Sequence, residues 1–408
     1  MWAQIGALIL ATSGVQLANG FFGTFISLRV ALENFTGTMS ALVLSGYYVG
    51  NTIGALFCTR IIERVGHIRA YAAFAGVSVA AVAAMPLAVN ALPWLFLRVV
   101  IGFGCAGLFV TTEGWLSAKA APAERGRVFS IYMVGTFVAL ALGQLLVGAV
   151  EIRAPTPFNI VVAIFAMALA LVSVTRAEPP RILDAATLAY GQLARVAPVA
   201  VAGAVLSGLI SGAFYTLVPA WMQGSGKDSS TIGLVMLAAV LGGLAFQIPV
   251  GRLSDLLDRR LVLTGLCLGL VATSLALPFL PRTRLAILPG AVLFGGFIST
   301  LYPVCVSHAH DRMRGERVVP VSGRLISLSG FGSILGPLLG TTFVEDLGIN
   351  GVLYMIAATA LLLALIAAVT SSRTVSPPHA ERALEILAPQ AAIMTEEQLM
   401  APDRPSGD

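Results

Sequence analysis

Twelve apolar runs separated by short polar breaks make up most of the chain. They fall at approximately 4–28, 38–59, 68–90, 92–118, 127–150, 157–175, 196–222, 231–250, 260–280, 285–307, 319–344 and 350–371. A helix crossing a hydrocarbon core of ~30 Å needs about 20 apolar residues, so each run reads as one transmembrane span. Charges and Gly/Pro clusters occupy the breaks, as expected between helices. Two polar stretches are longer. The segment 176–195 (RAEPPRILDAATLAYGQLAR) lies near the middle and reads as a cytoplasmic linker, and beyond 372 the chain turns polar and reads as a disordered cytoplasmic tail with one short amphipathic helix near 379–388.

Two of the breaks are alike. TRIIERVGHIR (59–69) and GRLSDLLDRR (251–260) interleave acids and bases in the same way, about 192 residues apart. Sliding the chain along itself by that distance brings Glu63 onto Asp255, Phe103-Gly104 onto Phe294-Gly295 and Gly143-Gln144 onto Gly336-Pro337. The order predicts two six-span halves in the same orientation: an N-terminal bundle at 1–175 and a C-terminal bundle at 196–371. A site near the middle of the membrane is expected where the halves meet.

Composition narrows the function. With 57% hydrophobic and 11% charged residues, the chain is far from the about 45–50% and about 25% of soluble domains. Its net charge of +5 does not point to nucleic acid, because the bases sit in separate short breaks. One set of breaks, with the tail, carries nineteen Lys and Arg, and the other carries five, with Arg98 left inside a span. By the positive-inside rule both termini are expected in the cytoplasm, with the chain multi-pass in the membrane. The start runs directly into the first span with no basic leader, so no cleavable signal peptide is expected. Cys58, Cys105, Cys267 and Cys305 are dispersed in apolar runs and read as packing residues, not as metal or disulfide positions.

GRLSDLLDRR resembles the loop signature of the major facilitator superfamily of secondary transporters. In the first copy, Thr59 stands where that family prefers Gly, and Glu63 where it prefers Asp. Leu97-Arg98 followed by Gly102 and Gly104 resembles the family's fourth-span motif, and TEGWLSAKAAPAERGRVFSIYMV is similar to a bacterial YcaD-type subgroup that brings no substrate with it. The likeness covers about 1–372. It implies two pseudo-symmetric six-helix bundles in a bacterial inner membrane, alternating access and a site between spans 1, 4, 7 and 10; the mostly apolar lining expected there, with few charges, favours a small amphipathic or weakly charged organic substrate over a polyanion or an inorganic ion. One pattern departs. Drug exporters of the family carry G-x-x-x-G-P-x-x-G in span 5, whereas Ala139, Gly143 and Gln144 stand there, and the pattern occurs instead in span 11 at Gly332, Gly336, Pro337 and Gly340. Drug antiport is correspondingly disfavoured.

Glu113 and Arg98 are the charges inside spans that chemistry can use. A carboxyl there costs on the order of 3 kcal/mol to insert, so Glu113 is expected to face the bundle interior or water, where it can carry a proton. The structural alternative pairs it with a base at the helix mouth, Lys119 being only ~9 Å of rise away. Arg98, fifteen residues earlier, points within about 60° of Glu113 and roughly 22 Å from it along the axis, so both can face one cavity. It suits an anionic group or a neighbouring carboxyl, or else reaches the outer interface that Trp94 would mark. Polar residues at helical spacing add Gln16 and Asn19 on span 1 and Ser207, Ser211 and Tyr215 on span 7. Tyr47, Tyr48 and Asn51 on span 2, Tyr132 on span 5, Gln247 on span 8 and Tyr302 on span 10 serve equally as substrate contacts or interhelical bonds.

The hairpin charges Glu63, Arg64, Arg69, Arg252, Asp255, Asp258, Arg259 and Arg260 read as a two-state latch across the seam, or as topology anchors. His308 and His310 diverge by ~200° and read as a solvated edge, not a metal pair. With no P-loop, energy is expected from a proton gradient. No cofactor or metal is called for, and the partners expected are a small organic substrate, protons and the lipid bilayer around a monomer. A non-transporting receptor on the same bundle would need an output domain or a partner-binding tail, and a membrane enzyme would need a catalytic cluster that the spans lack.

Overall fold

The computed structural model describes residues 2–33, 35–120, 124–174, 190–280, 283–313 and 318–373. Within them the chain is helical, with no strand: α1 (Trp2–Leu32), α2 (Gly37–Val65), α3 (His67–Ala84), α4 (Ala91–Lys119), α5 (Arg125–Leu145), α6 (Thr156–Ser173), α7 (Tyr190–Val196), α8 (Pro198–Gly224), α9 (Ser229–Leu256), α10 (Arg259–Ala276), α11 (Arg284–Arg312), α12 (Val318–Leu347) and α13 (Gly351–Arg373). Twelve are long and apolar enough to cross a membrane, as predicted. The other, α7, is a short helix at the end of the expected linker, so α8 to α13 are spans seven to twelve. Residues 176–189 of that linker, Arg314 and Arg317, and the tail from 374 with its expected amphipathic stretch lie outside the described residues.

Both repeated breaks are helix, not loop. α2 runs on to Val65, and a single residue, Gly66 at φ 82°, separates it from α3. Only glycine takes that backbone without cost, and its N–H closes the helix on Ile62 O at 2.8 Å. In the second copy α9 ends at Leu256, and Asp258, 192 residues after Gly66, caps α10 by accepting from the Arg260 N–H at 2.9 Å. The charged residues between are good helix formers, so polarity marks where the helices leave lipid rather than where they stop. We call the end that carries these breaks the hairpin side and the opposite end the far side.

The packing repeats as the sequence does. In the first half α1 lies on α4, α5 and α6, α4 on α2 and α3, and α3 on α6. In the second half α8 lies on α11, α12 and α13, α11 on α9 and α10, and α10 on α13. The closest approaches are made at glycines. A Cβ at Gly50 or Gly102 would collide with the carbonyl oxygen of Val99 or Tyr47 across α2 and α4; at Gly242 or Gly295 it would meet that of Val292 or Ala239 across α9 and α11. Gly143 meets Leu17 O in the first half as Gly336 meets Leu209 O in the second. These pairs place the repeat at 192 residues in the second span of each half and 193 in the fourth and fifth. The expected match of Phe103-Gly104 with Phe294-Gly295 is therefore two residues out. Close packing, not the shared Phe-Gly dipeptide, identifies Gly102 with Gly295.

Mid-helix prolines set the halves apart. Pro219, Pro249, Pro289, Pro303 and Pro337 lie inside helices of the second half, where each removes a backbone bond that a neighbouring helix must help replace. Trp94, in the first turn of α4, is buried rather than facing lipid: its indole N–H donates to Met85 O at 2.9 Å, and Phe35 and Phe158 pack edge-on against it. His308 is also buried rather than solvated, while His310 bonds the Ser322 hydroxyl at 2.9 Å. The last turns of α11 bury Val306, Ala309 and Met313 against Leu193 of α7 and Leu325 of α12.

Candidate functional site

Helices from both halves converge on a small, partly open cavity. α1 supplies Asn19, Phe22 and Thr24; α2 supplies Tyr47 and Tyr48; α4, Arg98; α5, Gln144; and α8, Tyr215 and Thr216. Residues 19–24 and 215–216 lie past the midpoints of helices that start on the hairpin side, so the cavity sits a little toward the far side.

Among the described residues, Arg98 is the one charge on this lining. It is 3% exposed, and its guanidinium carbon lies 4.9 Å from the centre of the Tyr47 ring and 5.6 Å from that of Phe22. Beside it a chain of amides runs along α1. Cys105 Sγ donates to Asn19 Oδ1 at 3.4 Å, and Asn19 Nδ2 donates to Gln16 Oε1 at 3.3 Å. Gln144 ties α5 to α1, donating from Nε2 to Gly20 O at 2.9 Å and accepting from Thr24 Oγ1 at 2.7 Å. A proline at that position would have neither bond. Gln144, Thr24, Thr216 and Phe22 escaped the sequence reading because Thr and Phe are ordinary inside spans, and Gln144 stood out only as a missing proline.

Glu113 and Tyr132 do not join Arg98. They form a separate buried pair between α4 and α5, with Tyr132 donating to Glu113 Oε1 at 3.2 Å. Glu113 is 1% exposed, and its Oε2 has no hydrogen-bond partner. The expected shared cavity fails because α1 packs over this part of α4, where Thr12 bonds Thr112 at 2.9 Å. Pairing with Lys119 does not occur either.

The other candidates divide. Asn19, Tyr47, Tyr48 and Tyr215 line the cavity, and Gln16 stands behind Asn19. Asn51 is half-buried, with its backbone against Gly102. Ser207 bonds back to Ala204 O at 3.2 Å, and half-buried Ser211 is off the lining, because this face of α8 packs on α12 through Gly208 and Gly212. Gln247 donates to Ser299 O at 3.4 Å. Tyr302 packs on the hairpin-side cluster with α7, away from the cavity.

Among the hairpin charges, Arg259 is buried and pairs with Asp311 at 2.5 Å and Asp255 at 3.5 Å, and Arg260 pairs with Asp258 at 2.8 Å. All these pairs stay inside the second half. Glu63, Arg64, Arg69 and Arg252 are exposed and make no ion pair among the described residues. Asp311 was missed; it lies 52 residues from Arg259, and the sequence offers only that an acid follows His308 and His310 at a helix end.

The halves touch toward the far side. The Ser27 hydroxyl donates to Thr216 O, and the Ser45 hydroxyl donates to Ile334 O at 2.8 Å. Gly148 lies against Ser230 there as well, while Gly330 meets Thr52 near the middle of α12 and α2.

Comparison with known proteins agrees with this architecture. A profile of the Major Facilitator Superfamily matches residues 8–228 and 200–395. The chain is 28% identical to the uncharacterized MFS-type transporter YcaD of Escherichia coli O7:K1 over 375 residues, covering 91% of this chain and 96% of that one. The YcaD protein of Shigella flexneri is 27% identical with the same coverage. Among solved structures, the nucleoside transporter NupG matches with a TM-score of 0.73 at 11% identity, over 90% of this chain and 98% of that one. A D-xylose-proton symporter matches with 0.65 at 16%, over 89% and 97%. At such identities these two show the fold alone. The chain is a multi-pass membrane protein that belongs to the major facilitator superfamily of membrane transporters.

Proposed function

We propose that the protein is a secondary active transporter that moves a small organic molecule across the bacterial cytoplasmic membrane by alternating access. The observation that carries this is the cavity between the halves, lined from both and holding a buried arginine among tyrosines and amides. Midplane sites between repeats are where such transporters hold substrate. The halves, 1–175 and 196–371, rock about this point, with both termini in the cytoplasm as the charge asymmetry supports. Contacts between the halves toward the far side, and exposed hairpin charges at the other end, fit a state open toward the hairpins.

Coupling to protons runs through Glu113. A buried carboxyl with one hydrogen bond and no basic partner can gain and lose a proton without breaking an ion pair. Tyr132 holds it in place. Because this pair sits apart from the cavity, its charge reaches the substrate through α4, which carries Glu113 and Arg98 alike. The test is a thermal-shift screen of purified protein over metabolites, followed by flux of the hits in proteoliposomes with imposed pH gradients. Flux that follows the gradient supports the reading; ligands that bind but are never moved would refute it.

A further inference from the structure

Arg98 is a buried cation without a counter-ion. Among the described residues no carboxylate pairs with it, and its Nε–H has no hydrogen-bond partner. Its neighbours are the ring faces of Tyr47 and Phe22. Such contacts recover less than the cost of removing a guanidinium from water. Glu113 cannot serve, being fifteen residues further along α4, roughly 22 Å away, and engaged with Tyr132.

Among the described residues, the cavity this arginine lines holds no acid. A second cavity-lining group, the buried Tyr47 hydroxyl, has only the weakly bonding Cys105 thiol beside it. The remaining polar lining is amide and hydroxyl, and Tyr48 and Tyr215 add flat apolar surface from opposite halves. One positive charge, uncompensated by the protein, is left for what the cavity binds. Guanidinium matches a carboxylate with paired donors and tolerates aromatic stacking, which ammonium does less well.

We infer that the cavity takes a monoanionic organic acid, its carboxylate on Arg98 and the Tyr47 hydroxyl and its apolar or aromatic body against Tyr48 and Tyr215. This rests on the cavity being the transport site. A polyanion does not fit a lining with one cation, and an amine would meet that cation with no acid to offset it.

Purified full-length protein in detergent would be titrated with phenylacetate, phenylpropanoate and indoleacetate, each beside its primary amide and the amine of the same body. Binding is read by thermal shift and intrinsic fluorescence. At least one carboxylate is expected to bind on the order of 30-fold more tightly than its amide, with the amine weaker still. Arg98→Gln should erase the preference and Arg98→Lys keep part of it, both with a ligand-free melting temperature near that of the parent. The assignment is overturned if no carboxylate binds, if amide or amine binds equally well, or if Arg98→Gln retains the preference. Counterflow in proteoliposomes separates the two readings. A carboxylate that binds in an Arg98-dependent way but is never exchanged leaves the anion site and removes transport; exchange of an amine or a neutral compound alone leaves transport and removes the anion.

Discussion

Asp311→Asn is expected to destabilise the protein by about 3 kcal/mol, and Asp255→Asn by less than about 1 kcal/mol. Both acids face Arg259, which is 3% exposed, but they hold it differently. Asp311, with its side chain 8% exposed, takes Nε at 2.5 Å and Nη2 at 3.4 Å in a forked arrangement. Asp255 is 39% exposed and stands 3.5 Å from Nη2, while Ser254 accepts from Nη1 at 3.2 Å. Losing one member of a buried pair strands the other, which costs about 3–5 kcal/mol. Asparagine keeps one acceptor, hence the lower end. Losing a half-exposed partner at the limit of contact costs what surface pairs cost.

The assay is thermal unfolding of the full chain in a mild detergent, comparing the two single variants with Arg259→Met/Asp311→Leu. Because an apolar pair of similar volume removes the stranded charge, the double variant should recover most of the loss. The reasoning is refuted if Asp255→Asn lowers the melting temperature as far as Asp311→Asn, or if the double variant is no better than Asp311→Asn.

Three further outcomes are expected. Glu113→Gln preserves size and can still accept from Tyr132, so folding and ligand binding should persist while flux in proteoliposomes stops following an imposed pH gradient; unchanged dependence would remove the proton role. Gly102→Val drives a side chain into Tyr47 O and to within 2.9 Å of Asn51 N, so α2 and α4 must part and the yield of monodisperse protein should collapse, whereas Gly265→Ala, with nothing within 4 Å, should be neutral or stabilising by up to about 1 kcal/mol. Cysteines at Thr52 and Gly330 would place their Cβ atoms 3.4 Å apart, close to the 3.5–4.5 Å of a disulfide, with every native cysteine buried; oxidation should stop flux and reductant restore it, and a bridged protein that transports at full rate would show that this contact never parts.

How far the sequence could be read depended on which physics set each feature. The spans were legible because lipid demands an unbroken apolar run and tolerates few charges. Their ends were not, because Glu63, Arg64 and Arg252 favour helix as readily as the residues inside the membrane do, so α2 and α9 outlast their apolar stretches. Arg98 was legible as a costly charge, and so was Glu113, but facing angles on one isolated helix could not show that α1 would cover Thr112 beside Glu113. The partner of Arg259 was hidden for a related reason: pairing between helices leaves no fixed spacing in sequence. The repeat was visible through identical residues, yet its register in the fourth span is set by backbone approach, which Gly102 and Gly295 record.

That same glycine packing bears on how the halves could move. Inside each half, paired glycines at matching positions bring helix backbones into direct contact, so one helix cannot shift without its neighbours. Across the seam, the hydrogen bonds from Ser27 and Ser45 join a side-chain hydroxyl to a carbonyl. Bonds of this kind inside membranes are worth about 0.6 kcal/mol each on average. Two amount to roughly 1 kcal/mol, whereas one proton crossing a membrane potential of about 100 mV releases about 2.3 kcal/mol. On the proposed mechanism the energy of a single proton therefore exceeds the hydrogen bonding named at the seam, where Gly148 against Ser230 and Gly233 against Gln144 O also bring backbones close. The halves should move as rigid bodies, with Arg98 carried on one and Tyr215 on the other.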